Sequence, residues 1–165
     1  MGMNKDQTLE NIQTNIIHEF SKTLEMFGLT PSDSRLFVAL YLHDEPMTLE
    51  ELSEALGKSK TSISTGIRSL SDQGLVERVW IKGVRKDLYQ ADEKLYKKFM
   101  TSYIQKWIDA SHTQSASLHA IQNTLPPSHE EPQSRFLQDR LDQMIGFNKE
   151  IMKAFKKIDP AITDQ

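Results

Sequence analysis

Residues Thr48 to Gln90 read TLEELSEALGKSKTSISTGIRSLSDQGLVERVWIKGVRKDLYQ. Thr48 and Glu51 stand at the two ends of a capping box, in which each side chain satisfies a free backbone donor at the start of a helix. Leu49, Leu52 and Leu56 fall on the inner side of that short helix, and Gly57 is its expected left-handed terminator. Ser59 can cap the next helix at once, so the spacing predicts two short helices joined by a tight turn. The second runs over about Lys60–Gln73, buries Ile63, Ile67 and Leu70, and turns Lys60, Thr61, Ser62, Ser64, Thr65 and Arg68 outward. Gly74 closes it. Two β-type runs follow, Leu75–Ile81 and Lys86–Gln90, with Lys82-Gly83-Val84-Arg85 as a hairpin loop between them. A helix-turn-helix followed by a hairpin is a winged helix-turn-helix.

Upstream, Leu9, Ile12, Ile16, Phe20, Leu24 and Phe27 recur every three or four residues and predict one helix with a single apolar stripe, ended by Gly28. Thr30, Pro31 and Asp33 form a helix start, and that second helix extends to about His43, before Asp44-Glu45-Pro46. Downstream, Leu95, Phe99, Tyr103 and Trp107 lie four apart in a long helix expected over Asp92–Asn123. Pro126, Pro127 and Pro132 mark a linker, and a last apolar-striped helix is expected over Ser134–Ile158. The fold class is therefore mainly α (α+β), with residues 1–29 as an N-terminal dimerisation helix, 30–91 as the winged domain, and 92–165 as a helical dimerisation and ligand-sensing region. Two long amphipathic helices offer more apolar surface than so small a central module can cover, so a second copy is their natural partner. A two-fold dimer would set its recognition helices roughly 34 Å apart, as a palindromic operator requires.

Charge is segregated in the same way. The 165 residues carry a net charge of −3, yet Lys58–Lys86 holds seven basic residues (Lys58, Lys60, Arg68, Arg78, Lys82, Arg85, Lys86) against Asp72 and Glu77. That segment is +5 and the remainder −8, which is a compact footprint for phosphate on an acidic body. The expected DNA-contacting set is Ser59, Lys60, Thr61, Ser62, Ser64, Thr65 and Arg68 on the helix, facing the major groove, with Lys82, Arg85 and Lys86 on the wing. A solvated face and a solvated hairpin tip are the bland readings of the same residues. Glu50, Glu51 and Glu54 read as a solvated helix face. Gly66 inside the recognition helix costs about 1 kcal/mol relative to alanine, offset by close helix packing or by close approach to DNA.

Several function classes are excluded. The chain has no cysteine, which removes disulfides, thiolate metal sites and thiol nucleophiles. No G-x-S-x-G and no phosphate-cradling glycine loop is present, so neither an enzyme nor a cofactor is expected. The five histidines show no ligand spacing, although His112 and His119 share a helical face. The longest apolar run, Leu36–Leu42, is far below the roughly 18 residues of a membrane span. With no signal-peptide core and no acylation pattern after Met1-Gly2, the expected address is cytoplasmic.

Lys58–Gln90, in particular TSISTGIRSL followed by VWIKGVRKDLY, resembles the GbsR-type branch of the MarR-like winged-helix regulators. The likeness extends more loosely over Thr30–Ala110. It implies a transcriptional regulator, a repressor, of genes for uptake or synthesis of choline and glycine betaine, with DNA binding modulated by such a quaternary ammonium solute. It also implies a cation cage built from aromatic rings, for which Tyr41, Trp80, Tyr103 and Trp107 are the candidates. The four-residue ladder by itself reads as ordinary core packing, so cage and core both stand. One departure is plain: where related wings carry an acidic residue two positions before the wing arginine, this chain has Gly83 before Arg85. The rival readings are a winged-helix module that meets an acidic protein partner without any operator, and a ligand-independent repressor.

Overall fold

The computed structural model describes residues 4–127 and 129–160; Met1-Gly2 lies outside them. It is mostly helical with one small antiparallel sheet, in the order α1 (Lys5–Met26), α2 (Pro31–Tyr41), α3 (Leu49–Leu56), α4 (Lys60–Asp72), β1 (Val76–Val79), β2 (Leu88–Ala91), α5 (Leu95–Gln122), α6 (Pro132–Ile158). The chain divides after Phe99 into two compact units.

In the first unit the local signals are all used. Thr30 accepts the Asp33 backbone N–H at 3.1 Å with Pro31 in the first turn of α2. At α3, Thr48 Oγ1 accepts from the Glu51 N–H at 3.2 Å while Glu51 Oε2 accepts from the Thr48 N–H at 2.8 Å. Gly57 ends α3 at φ 62°, and Ser59 Oγ accepts from the Ser62 N–H at 3.2 Å to open α4. These two caps leave three residues between the helices and fix their crossing. The core between them is Leu24, Leu36, Phe37, Leu40, Leu52, Ile63, Ile67, Leu70 and Leu75, with Phe99 set edge-on to Phe37 at 4.9 Å.

Gly66 is where α4 meets α2. A Cβ there would stand 2.7 Å from Leu36 Cδ2 and 3.1 Å from Asp33 Oδ1. Ser69 Oγ donates to Asp33 Oδ2 at 2.8 Å one turn further on, so the same contact is both close and hydrogen-bonded. Close helix packing is thus the reason for this glycine. Because Leu36 is itself buried and cannot swing away, Gly66→Ala should lose more by overpacking than it gains in helix propensity, a net destabilisation of about 1 kcal/mol. Thermal unfolding followed by circular dichroism should show a melting temperature lower by several degrees; an equal or higher one would contradict the packing account.

Several boundaries differ from the sequence expectation. The strands are shorter, pairing Val76 with Ala91 through Val79 with Leu88, so the wing loop spans 80–87 rather than four residues. Pairing stops at Val79 and Leu88, beyond which Trp80, Ile81, Lys86 and Asp87 are all exposed, and the loop closes on its own turn, Val84 N–H to Ile81 O at 3.1 Å with Gly83 at φ 88°. A left-handed φ favours glycine strongly, which accounts for Gly83 where related wings are acidic. Next, α5 begins at Leu95, because Asp92 is spent in a turn: its N–H donates to Leu75 O at 3.2 Å and its carboxylate accepts from the Lys94 N–H at 2.8 Å. Finally, α1 begins at Lys5 and α6 at Pro132, both ahead of expectation. The apolar stripe of α1 is also divided. Leu24 is buried and Ile17, Phe20 and Phe27 are half-buried, whereas Leu9, Ile12 and Ile16 remain exposed.

The wing is tied back to the helices by a bridge between Met47 and Tyr89, with reciprocal backbone bonds of 2.8 and 2.9 Å. In the second unit Ile104 and Ile145 are buried, and Gln122 Nε2 donates to Asp142 at 2.6 Å between α5 and α6. Ser134 Oγ donates to Pro126 O across the proline linker.

Candidate nucleic-acid interface

The inner face of α4, Ile63, Gly66, Ile67 and Leu70, is buried, which turns Lys60, Thr61, Ser62, Thr65 and Arg68 to solvent and leaves Ser64 half-buried. Not all the hydroxyls are equally available. Thr65 Oγ1 donates to Thr61 O at 3.0 Å, so its remaining capacity is as an acceptor, and Ser59 Oγ already accepts as the helix cap. Thr61 and Ser62 are the exposed hydroxyls nearest the positive end of the helix, where a phosphate oxygen is best accommodated.

The cations fall into two groups. Glu50, at the start of α3, meets Lys60 Nζ at 2.8 Å and Lys86 Nζ at 3.6 Å. Arg78 pairs with Asp87 at 2.5 Å. Arg68, Lys82 and Arg85, by contrast, have no carboxylate partner among the described residues and remain exposed. One carboxylate reaching both Lys60 and Lys86 has a geometric consequence: the N-terminus of α4 and the base of the wing open on the same face. Of the sequence-predicted residues, Lys60 of the helix and Lys86 of the wing are thereby brought together around one carboxylate.

Glu50 is the functional residue that sequence reasoning missed. Helical spacing alone groups it with Glu51 and Glu54 as a solvated face, but Glu51 is a cap and Glu50 is the counter-ion of Lys60 and Lys86. No spacing rule could show this, since its partners lie 10 and 36 positions away. The Lys60 hydrogen bond, assisted by a backbone hydrogen bond to its own amide at the helix start, pulls the Glu50 carboxyl down to about 2. A folded pKa below the ordinary value means that the pairing is fully present above about pH 4.5 and is lost only as pH falls through about 2. Between pH 5 and 8 Glu50 should therefore add no pH dependence. Bound phosphates would have to displace it from two lysines and sit beside its charge. Glu50→Gln should accordingly raise affinity for duplex of any sequence by about three- to tenfold at low salt. Fluorescence anisotropy at two salt concentrations checks this, and unchanged affinity would contradict it.

The four aromatic candidates lie in both units. Tyr41 stacks on Phe37 at 6.1 Å, and Trp80 stands on the wing with 80% of its surface exposed. In the second unit Tyr103 and Trp107 do come together, at 6.4 Å, and are joined by Phe155 of α6 at 6.0 and 5.5 Å. Phe155 is a third ring that the four-residue ladder could not reveal, being on another helix. The Trp107 and Phe155 faces are nearly parallel, at 24°, so those two rings pack on each other, while Trp107 stays 40% exposed. Among the described residues no three His, Asp or Glu side chains are grouped to hold a metal. No described helix is long and apolar enough to cross a membrane.

Comparison with known proteins agrees with this geometry. Residues 27–80 match the MarR family. Over 99 residues, 60% of this chain, the sequence is 35% identical to the HTH-type transcriptional repressor OpcR and 33% identical to the HTH-type transcriptional repressor GbsR, both of Bacillus subtilis. Those alignments cover 54% of each relative, so the chain spans about half the length of the curated relatives it matches. A crystal structure of a transcriptional regulator, 22% identical, superimposes with a TM-score of 0.59 over 88% of this chain and 98% of that one, which supports the fold. The family and these relatives are transcriptional regulators, not enzymes. The capped helix pair and the wing thus agree with the match of residues 27–80 to the MarR family and with the similarity to the OpcR and GbsR repressors: the chain carries a winged helix-turn-helix of the MarR type.

Proposed function

We propose that this chain is a cytoplasmic, homodimeric transcriptional repressor that grips a palindromic operator with α4 in the major groove and the wing against the adjoining backbone. The observation that carries this reading is the meeting of Lys60 at the α4 N-terminus and Lys86 of the wing at Glu50, with Arg68, Lys82 and Arg85 exposed and free of carboxylates among the described residues. MarR-family regulators bind DNA as dimers. The exposed apolar residues Leu9, Ile12 and Ile16 on α1, and Phe136, Leu137, Met144 and Phe147 on α6, supply the surface a second copy would cover. Arg68 is the residue suited to reading a guanine edge; the hydroxyls and the wing cations position the protein on phosphates.

The effector in this proposal is a quaternary ammonium solute of the choline and glycine betaine class, in keeping with the resemblance to GbsR-type regulators. Trp107, partly exposed within the Tyr103, Trp107 and Phe155 cluster, is the aromatic side chain best suited to a cation–π contact with it. For the solute to act, its affinity must differ between the DNA-competent and incompetent spacings of the two recognition helices. Titrating the protein onto its own upstream duplex, with and without choline and glycine betaine, tests this. One of the two solutes should shift the binding midpoint, and Trp107→Ala should abolish the shift while leaving DNA affinity largely intact. Tight operator binding indifferent to both solutes would instead favour a ligand-independent repressor.

A further inference from the structure

Trp80 is a large, exposed side chain for which neither the core nor the aromatic clusters account. It follows β1 directly, its ring is 80% exposed, and among the described residues no other aromatic ring lies against it. It does not stand alone: Ile81 and Val84, on either side of the Gly83 turn, are also exposed, so the wing tip is at once apolar and cationic. Trp80, Val84, Arg85 and Lys86 line a shared open concavity of about 610 Å3. Exposed tryptophan beside unpaired arginine and lysine is a poor solvent surface and a good contact surface.

Charge selects the occupant of the wing tip. Asp87 in the concavity is met by Arg78, Lys86 shares Glu50 with Lys60, and Arg85 in the concavity and Lys82 outside its lining have no carboxylate partner among the described residues, so a polyanion is favoured. Along a duplex the apolar surface that alternates with phosphates is the deoxyribose face bordering the minor groove, and apolar side chains are used there beside arginine and lysine. We propose that Trp80 is a DNA-contact residue, its indole packed on deoxyribose at the edge of the minor groove while Lys82 and Arg85 hold the flanking phosphates. This rests on the DNA-binding reading above and assigns Trp80 to the wing's contact instead of to a solute cage. The contact is apolar and releases no counterion, so it should add affinity that salt does not remove.

The chain has only two tryptophans, so Trp107→Phe leaves Trp80 as the sole indole reporter. Adding upstream duplex to that variant, with binding followed independently by anisotropy of labelled DNA, should quench or blue-shift Trp80 emission and shield it from acrylamide, in step with saturation. In the otherwise unaltered chain, Trp80→Ala should weaken binding by about tenfold or more with the slope of log K against log salt unchanged. Trp80→Phe should recover most of the loss. Duplex binding with silent Trp80 emission, or Trp80→Ala binding as tightly as the parent, overturns the assignment while leaving the repressor reading intact. So does an emission change produced by anionic lipid vesicles, or by raised protein concentration without DNA, and not by duplex. Failure of the parent chain to bind duplex at all removes both.

Discussion

With Lys82 and Arg85 both replaced by alanine, operator affinity at 0.1 M salt should fall by about a thousand-fold, and the salt dependence of what remains should be much shallower. The two side chains are the wing cations with no carboxylate partner among the described residues, so each is available to replace a condensed counterion. A dimer carries four of them, and at about 0.9 in slope per neutralised phosphate the slope of log K against log salt should drop by roughly 3 to 4. Arg78 offers an internal control. Its charge is already met by Asp87 at 2.5 Å, so Arg78→Ala should change the slope far less. Titrations at several salt concentrations measure both variants, and an unchanged slope in the double variant would place the wing away from DNA. The rival reading, an acidic protein partner, also predicts salt sensitivity, but with no preference for duplex and none for a palindrome.

The second large effect concerns assembly. Ile12→Glu combined with Ile16→Glu puts two charges on a stripe that is exposed in the single chain and, on the present reading, buried against a second copy. Folding of the first unit should be nearly untouched, since its core uses Leu24 and the half-buried Ile17, Phe20 and Phe27. The dimer should dissociate, and operator affinity should fall by about a thousand-fold or more, because the second half-site is no longer engaged at the roughly millimolar effective concentration that linkage provides. Sedimentation equilibrium gives the first result and duplex titration the second. A dimer that persists with native melting behaviour would mean that the α1 stripe faces something other than its own copy.

What the sequence made legible was what residues within a few positions of each other decide. Thr30 with Pro31, Thr48 with Glu51, and Gly57 with Ser59 are local hydrogen-bond and φ requirements, and every one is realised. The burial of Ile63, Ile67 and Leu70 follows from helical period, and with it the outward face of Thr61 to Arg68. Other features depend on distant partners and were not readable. The eight-residue wing loop reflects where cross-strand pairing between Val79 and Leu88 gives out, and α5 starts late because Asp92 is held by Leu75. Periodicity gives α1 a single stripe but cannot say that its first half stays exposed among the described residues. For Gly66 two causes stood open until the proximity of Leu36 and Asp33 chose between them. Glu50 is the clearest case, an acidic residue whose role is defined by two lysines on other elements.

The most direct test is a competition between the chain's own upstream palindrome and a scrambled duplex of equal length and composition, at physiological salt, for the parent and for Arg68→Ala. The parent should prefer the palindrome by about a thousand-fold or more, and Arg68→Ala should lose a large part of that preference while still binding both duplexes. Equal affinity of the parent for the two duplexes would contradict sequence reading by the exposed face of α4.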